Sequence, residues 1–247
     1  MFGKKKTTII IPARYGSSRL EGKPLLKVND KPIIQWVYEA AKKVKSADVV
    51  IVATDDERIF NAVKSFGGEV EMTSSEHKCG SDRIKEVADR HSDFEYIINL
   101  QGDEPMIKVE NVEAVIDGVK KHKADISTLI RPIEDINEVE NPNLVKCVID
   151  NNFYALYFSR SKIPFERKEN PAPFYGHIGI YGYTKKALNE MTMAPQTSLE
   201  ISESLEQLRA LQMGLKIKTS IVKDKPLGID TIEDFEKFKS LVAQKTH

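Results

Sequence analysis

The sequence predicts an α/β fold in a single domain, with a mostly parallel central sheet flanked by helices and a β-rich insertion. Three observations carry that prediction. Strand-like and helical patterns alternate through the first half of the 247-residue chain, as they do where a parallel sheet is covered on both faces. The first apolar run leads into a cationic loop containing glycines. From about residue 144 to 198 the pattern changes to short strand-like runs divided by turns.

The strands of the first half are read at Thr7–Ile11, Asp48–Ala53, Glu69–Thr73 and Tyr96–Leu100. Between the first two, Ile33, Ile34, Trp36, Val37, Ala40, Ala41 and Val44 recur every three or four positions, which predicts a helix. Further helices are predicted at Ile59–Phe66, Ile84–Arg90 and Val112–Lys121, and Gly67-Gly68 marks a helix stop. In the insertion, Leu144–Ile149, Phe153–Phe158 and His177–Tyr183 read as strands, with Asn151-Asn152 as a hairpin turn. Ser161–Pro173, rich in proline and charge, reads as a long loop of the kind that is often functional. One helix is predicted over about Leu199–Met213, then a strand at Lys216–Val222 and a last helix at about Thr231–Gln244. No repeat or low-complexity linker divides residues 1–247, so one domain is expected.

Composition narrows the class. Apolar residues make up 40% and charged residues 30%, which fits a folded globular protein. Lys+Arg and Asp+Glu both number 37, so no global field favours nucleic acid. Lys4-Lys5-Lys6 reads as a solvated tail. The two cysteines, Cys79 and Cys147, form neither a disulfide framework nor a metal-ligand spacing, and a reduced intracellular setting is expected. There is no apolar run long enough to span a membrane. The first strand is too short for a signal peptide. A cytoplasmic location follows as the expectation.

The loop Ile11–Leu25 is where chemistry first enters. It resembles a P-loop, but five residues separate Gly16 from Gly22, and Lys23 is followed by Pro24, so the metal-binding hydroxyl of a P-loop is missing. Arg14, Arg19 and Lys23 are nonetheless suited to phosphate, arginine as a bidentate fork and lysine as a point charge. Three cations within ten residues repel one another unless an anion or carboxylates sit among them. The preceding strand delivers them to the carboxyl edge of the sheet, where open α/β folds bind ligands. A nucleotide-binding domain is the reading.

Two acidic positions complement the loop. Asp103, in Leu100-Gln101-Gly102-Asp103-Glu104-Pro105, follows a buried strand and should reach the same edge. Magnesium takes few carboxylates and several phosphate or water oxygens, which suits Asp103. Asp230 precedes Thr231 and Asp234, a pair resembling a capping box. Taken alone it marks only a helix start; with Asp103 it could complete a metal site for a triphosphate. The stretch Thr73–Arg83, with its hydroxyls and His77, fits an ordinary polar loop as well as one holding ribose or base.

These segments together are similar to the 3-deoxy-manno-octulosonate (KDO) cytidylyltransferase family, the CMP-KDO synthetases. The likeness rests on Ile11-Pro12-Ala13-Arg14, Ser18-Arg19-Leu20, Gly22-Lys23-Pro24-Leu25 and Leu100–Pro105. It continues in His177-Ile178-Gly179-Ile180-Tyr181, Leu205-Glu206-Gln207-Leu208-Arg209 and Gly228-Ile229-Asp230-Thr231. It runs in order from about Thr8 to Phe235. The sialic-acid-activating sister family has a Gly-Gly-Ser core in its opening loop, which is missing here.

The resemblance implies that CTP and an eight-carbon sugar acid give CMP-sugar and pyrophosphate, with magnesium as cofactor, for lipopolysaccharide synthesis. It implies catalytic roles for Arg14, Arg19, Lys23 and Asp103, and magnesium ligation by Asp103 and Asp230. Nucleotide contacts fall to Pro12, Ala13, Arg14, Ser18, Arg19, Lys23, Ser74, His77, Gly80, Ser81 and Gln101. Sugar contacts fall to Arg160, His177, Tyr181, Glu206 and Gln207. By spacing alone, His177 and Tyr181 could equally line the core, and Glu200, Glu203 and Glu206 could form a solvated acidic face. Family members are typically homodimers; Phe153, Tyr154, Tyr157 and Phe158 could supply that face or pack internally. Cys79-Gly80-Ser81 departs from the family's Ser-Gly-Thr, which puts contacts through Cys79 in doubt. Ile232 replaces a common proline. The 8-amino analogue of KDO stays open as substrate. A non-catalytic nucleotide sensor on the same fold is the alternative from another class, and a dinucleotide oxidoreductase is disfavoured because no G-x-G-x-x-G follows the first strand.

Overall fold

The computed structural model describes residues 4–16, 20–168, 172–223 and 227–245. It begins with strand β1 (Lys6–Ala13), a 3-10 turn (Lys23–Leu25) and a small hairpin of β2 (Lys27–Val28) and β3 (Lys31–Pro32). There follow α1 (Ile33–Ala41), β4 (Val49–Thr54), α2 (Glu57–Ser65), β5 (Val70–Met72), α3 (Gly80–Arg90), β6 (Phe94–Asn99) and α4 (Val109–Lys120). Then come β7 (Ile126–Pro132), α5 (Ile136–Glu140), β8 (Lys146–Ile149), β9 (Ala155–Ser159) and β10 (Tyr175–Thr184). The chain closes with α6 (Lys185–Met193), α7 (Ser198–Glu203), α8 (Gln207–Gln212), β11 (Ile217–Ile221) and α9 (Ile232–Lys245). Two compact units result, Met1–Glu113 with Pro226–His247, and Ala114–Lys225. The second begins earlier and ends later than the β-rich segment 144–198.

In the first unit the strands lie in the order β6-β1-β4-β5, all parallel. Ile9, Ile10 and Ile11 are consecutive and fully buried. Successive residues of a strand point to opposite faces, so the sheet is covered on both sides and the run is continuous rather than alternating. The register pairs Ile9 with Ile98 and Ile10 with Asn99, and the Leu100 amide donates to the Ile10 carbonyl at 3.2 Å. β1 and β6 therefore finish at one edge, side by side.

In the second unit β7 is flanked by β11, parallel, and β10, antiparallel. β8 joins β10 through Tyr175 and Gly176 and pairs with β9 as a hairpin. The turn between β8 and β9 is tied by Asp150, whose Oδ1 accepts from the amides of Asn152 and Tyr154 at 2.8 Å each. β7 is a strand that the sequence pattern does not announce. Its Ser127 and Thr128 look solvent-facing yet are buried, because Ser127 Oγ donates to the Val115 carbonyl at 2.6 Å and Thr128 Oγ1 to carbonyls of β10. α5 and α6 also escape the periodicity reading.

The single helix expected over Leu199–Met213 is two helices. Ser204 adopts a left-handed conformation, φ 51°, and ends α7. The acidic face expected there is also corrected. Glu200 is buried and meets Arg209 as a two-pronged pair, Nε to Oε2 at 2.8 Å and Nη2 to Oε1 at 2.5 Å. Glu203 accepts from Ser159 Oγ at 2.6 Å and from the Arg160 amide at 2.9 Å. Removing one partner of a buried pair strands the other charge, at a cost of roughly 3–5 kcal/mol. Arg209→Met should lower unfolding free energy in urea by about that amount, with part of the loss recovered in the Arg209→Met/Glu200→Gln double variant; equal losses in both would refute the pairing.

Candidate active site

At the shared edge of β1 and β6 the chain makes a close crossing. A Cβ on Gly102 would lie 2.9 Å from the Pro12 carbonyl oxygen, so only glycine lets Gln101 and Asp103 pass over the end of β1. Gly22 solves a second problem. Its φ of 67° is left-handed, and the Tyr15 ring occupies the space of a Cβ, 3.0 Å away. The Gly22 amide donates to the Tyr15 carbonyl at 2.9 Å, which closes the loop and aims Lys23 inward.

Lys23 is the point on which the acids converge. Its Nζ lies 2.6 Å from Asp103 Oδ2 and 3.1 Å from Asp230 Oδ1, with 12% of its side chain exposed. Asp230 is brought there by the main chain, since the Ile229 amide donates to the Asp103 carbonyl at 2.9 Å. Beyond it, Asp234 Oδ2 accepts from the amides of Asp230 and Thr231, and the Asp234 amide donates to Thr231 Oγ1. The predicted capping box thus forms and opens α9. A cavity of about 280 Å³ adjoins these groups, with Arg14, Lys23, Gln101, Asp103 and Asp230 in its wall.

A second cavity of about 140 Å³ shares Pro12, Ala13, Arg14 and Gln101 and is completed by the start of α3. Gly80 and His77 line it. Ser81 is buried. Ser74 lines neither cavity; its amide donates to Glu86 Oε2 at 2.9 Å and its hydroxyl accepts from the Glu76 amide. His77 Nε2 lies 2.5 Å from the same Glu86 oxygen, and Arg90 holds the other carboxylate oxygen. Cys79 occupies the N-cap of α3 without a side-chain capping bond to the helix, where a hydroxyl would be the stronger partner. Ser18 and Arg19 lie outside the described residues.

Two residues of this edge were not assigned by sequence. Arg83 is buried and lines the smaller cavity, its guanidinium donating to Thr73 Oγ1 at 2.5 Å and Asp55 Oδ2 at 2.8 Å. Its place on an otherwise amphipathic helix is the only signal that could have found it. Glu104 is buried beside Asp103, and its Oε2 has no hydrogen-bond partner among the described residues. Burial, with the neighbouring Asp103 charge, pushes its carboxyl up to about 8. Both causes favour the neutral form of Glu104.

In the second unit the expected sugar residues gather around β8–β10. Regular strand geometry sets residues four apart at about 13 Å, yet the His177 and Tyr181 ring centroids are 5.3 Å apart. A bulge between Ile178 and Tyr181 draws them together. Thr128 Oγ1 donates into that bulge, to the carbonyls of Ile178 at 3.1 Å and Ile180 at 2.8 Å, and lies 2.9 Å from His177 Nε2. This network assigns the proton to Nε2. Phe158 packs edge-on against the same imidazole. Arg160, just after β9, donates from Nε to the Glu203 carbonyl at 2.7 Å and from Nη1 to the Pro142 carbonyl at 3.1 Å. Gln207 is buried at the start of α8, and Glu206 precedes it, half-buried. Of the four aromatics offered as a dimer face, Phe158 is fully buried and Phe153 is exposed.

A lysine and an arginine meeting two acids at the carboxyl edge of a parallel sheet fit the class of α/β nucleotidyltransferases. Comparison with known proteins narrows it. Residues 8–217 match the family model described as cytidylyltransferase. A 3-deoxy-manno-octulosonate cytidylyltransferase of Thermodesulfovibrio yellowstonii is 50% identical over 243 residues, covering 93% of this chain and 95% of the relative. An 8-amino-3,8-dideoxy-manno-octulosonate cytidylyltransferase of Shewanella frigidimarina is 48% identical over 236 residues, covering 94% and 96%. A solved CMP:2-keto-3-deoxy-manno-octonic acid synthetase complexed with CTP superposes with a TM-score of 0.93 at 43% identity, covering 98% of this chain and 100% of that one. The chain belongs to the 3-deoxy-manno-octulosonate cytidylyltransferase family.

Loss of water around the His177 ring pushes its pKa down from 6.5 to about 4. The unfolded chain then binds the extra proton between those values, so stability falls as pH drops from 6.5 toward 4 and is full above 6.5. Thermal unfolding midpoints measured from pH 7 to 5 should decline in the natural protein and decline less in His177→Asn. Parallel curves would show that His177 does not titrate this way.

Proposed function

We propose that this enzyme transfers the cytidylyl group of CTP to 3-deoxy-D-manno-octulosonate and releases pyrophosphate. The observation that carries the reading is the convergence of Lys23, Asp103 and Asp230, with Arg14, on one cavity at the carboxyl edge of the sheet. In this reading the sugar's anomeric hydroxyl attacks the α-phosphorus, a P–O bond forms, and the bond to the β-phosphate oxygen breaks in line. The protein contributes position and charge stabilisation. Arg14 and Lys23, with Arg19, grip the triphosphate and the leaving pyrophosphate. Gln101, His77 and the start of α3 border the smaller cavity and are assigned to the cytidine.

Asp103 and Asp230 fit magnesium by donor chemistry, being two hard oxygen donors already drawn to one cation, with phosphate and water oxygens to complete the set. Magnesium, when bound, supplies charge neutralisation on the triphosphate. The sugar acid is assigned to Arg160, His177, Tyr181, Glu206 and Gln207. The short His177–Tyr181 distance and the shared packing of α8 on β9 support that grouping. Arg160's guanidinium already serves backbone carbonyls, so its role toward the sugar rests on its remaining N–H donors.

The proposal extends to a cytoplasmic homodimer that activates the sugar for lipopolysaccharide synthesis. The absence of a helix long and apolar enough to cross a membrane, among the described residues, is compatible with that location. Leu156 on β9 and Phe153 in the turn before it are both exposed, which supports an apolar face for a second copy there.

A pyrophosphate-release assay with CTP, magnesium and a panel of sugar acids tests the reading. Turnover is expected with KDO, and the 8-amino analogue in the same panel decides the substituent at C8. Asp103→Asn should lower kcat by about a hundredfold or more while the chain still unfolds cooperatively. An unaltered kcat at saturating magnesium would remove Asp103 from the site.

A further inference from the structure

We infer that Lys23 is a placeholder cation, which in the nucleotide-free protein holds the Asp103–Asp230 pair against divalent metal and lets it go when a triphosphate offers another anion. This rests on the reading of those two acids as metal ligands. The geometry is specific. One ammonium sits within hydrogen-bonding distance of both carboxylates, at 2.6 and 3.1 Å. It is also the least exposed of the three, at 12% against 29% for Asp103 and 48% for Asp230. The lysine is thus inserted between two acids that are each more exposed than it is.

Two carboxylates held this close repel each other unless a cation lies between them. The ammonium fills that need without metal. A divalent ion and an ammonium cannot both take the same oxygens at contact distance, because like charges in a partly desolvated pocket repel strongly. Metal entry at these two oxygens therefore requires the lysine to leave. Its four-carbon stem can rotate, and its three donors suit phosphate as well as carboxylate. A triphosphate in the adjoining cavity, whose wall includes Lys23 itself, gives the ammonium somewhere to go. Metal and nucleotide are then coupled through one side chain, and by linkage each raises the affinity for the other. The free enzyme keeps its acids paired and takes up metal with the nucleotide rather than before it.

The test measures metal binding without turnover. Binding of Mn²⁺ to the full chain, with no nucleotide present, is followed by electron paramagnetic resonance of the free ion. Lys23→Met and Lys23→Gln should bind Mn²⁺ about tenfold tighter than the natural protein, within the usual range of coupling between sites. Lys23→Arg, which keeps the cation, should stay weak. Adding Asp103→Asn to Lys23→Met should abolish the gain. Mn²⁺ should also raise the unfolding midpoint of Lys23→Met more than that of the natural protein, which shows that the variant is folded. If Lys23→Met and Lys23→Gln bind no tighter, the placeholder role is wrong, while the assignment of Asp103 stands or falls separately on the Asp103→Asn turnover assay. A gain that survives Asp103→Asn overturns both.

Discussion

The arrangement depends on one electrostatic constraint: Lys23 must reach Asp103 and Asp230 at once. The three residues are 80 and 207 positions apart in the chain, so nothing local brings them together. Without the ammonium, the two carboxylates would have lost the cation that lies between them, and their repulsion would favour another cation in its place. The hydrogen bond from the Ile229 amide to the Asp103 carbonyl holds the two segments together through the main chain.

Backbone sterics set the stage for that contact. Parallel pairing of β1 with β6 sends both strands out at the same edge, and Gly102 allows the second to pass within contact of the first. Gly22 turns the other strand's loop back on Tyr15, which points Lys23 at the crossing. Charge and main-chain geometry thus act together. The register places the groups within reach, and the ion contacts select one arrangement among those the glycines allow.

The second unit uses a different device, buried polar side chains held by fixed partners. Thr128 satisfies carbonyls left open by the bulge in β10, and Arg209 satisfies Glu200. In each case the polar group is retained inside because its partner is fixed in place. The bulge compresses the spacing of His177 and Tyr181, making a compact aromatic and imidazole surface from residues that a straight strand would separate.

The α/β class, the strands around Ile9–Ile11 and Ile97–Ile98, the capping box at Thr231 and the cationic turn were legible in the sequence, because apolar periodicity and residue chemistry are local properties. Asp103 and Asp230 were paired from residue chemistry first, and the family likeness gave that pair a role. Three things were decided only by tertiary structure. β7 hid behind serine and threonine, whose burial is acceptable only with acceptors supplied by α4 and β10. The acidic triplet Glu200, Glu203 and Glu206 reads as a solvated stripe until Arg209, Ser159 and Arg160 arrive to pair with its first two members. The raised Glu104 carboxyl and the capture of both acids by Lys23 follow from desolvation and distance, which exist only once the chain has folded.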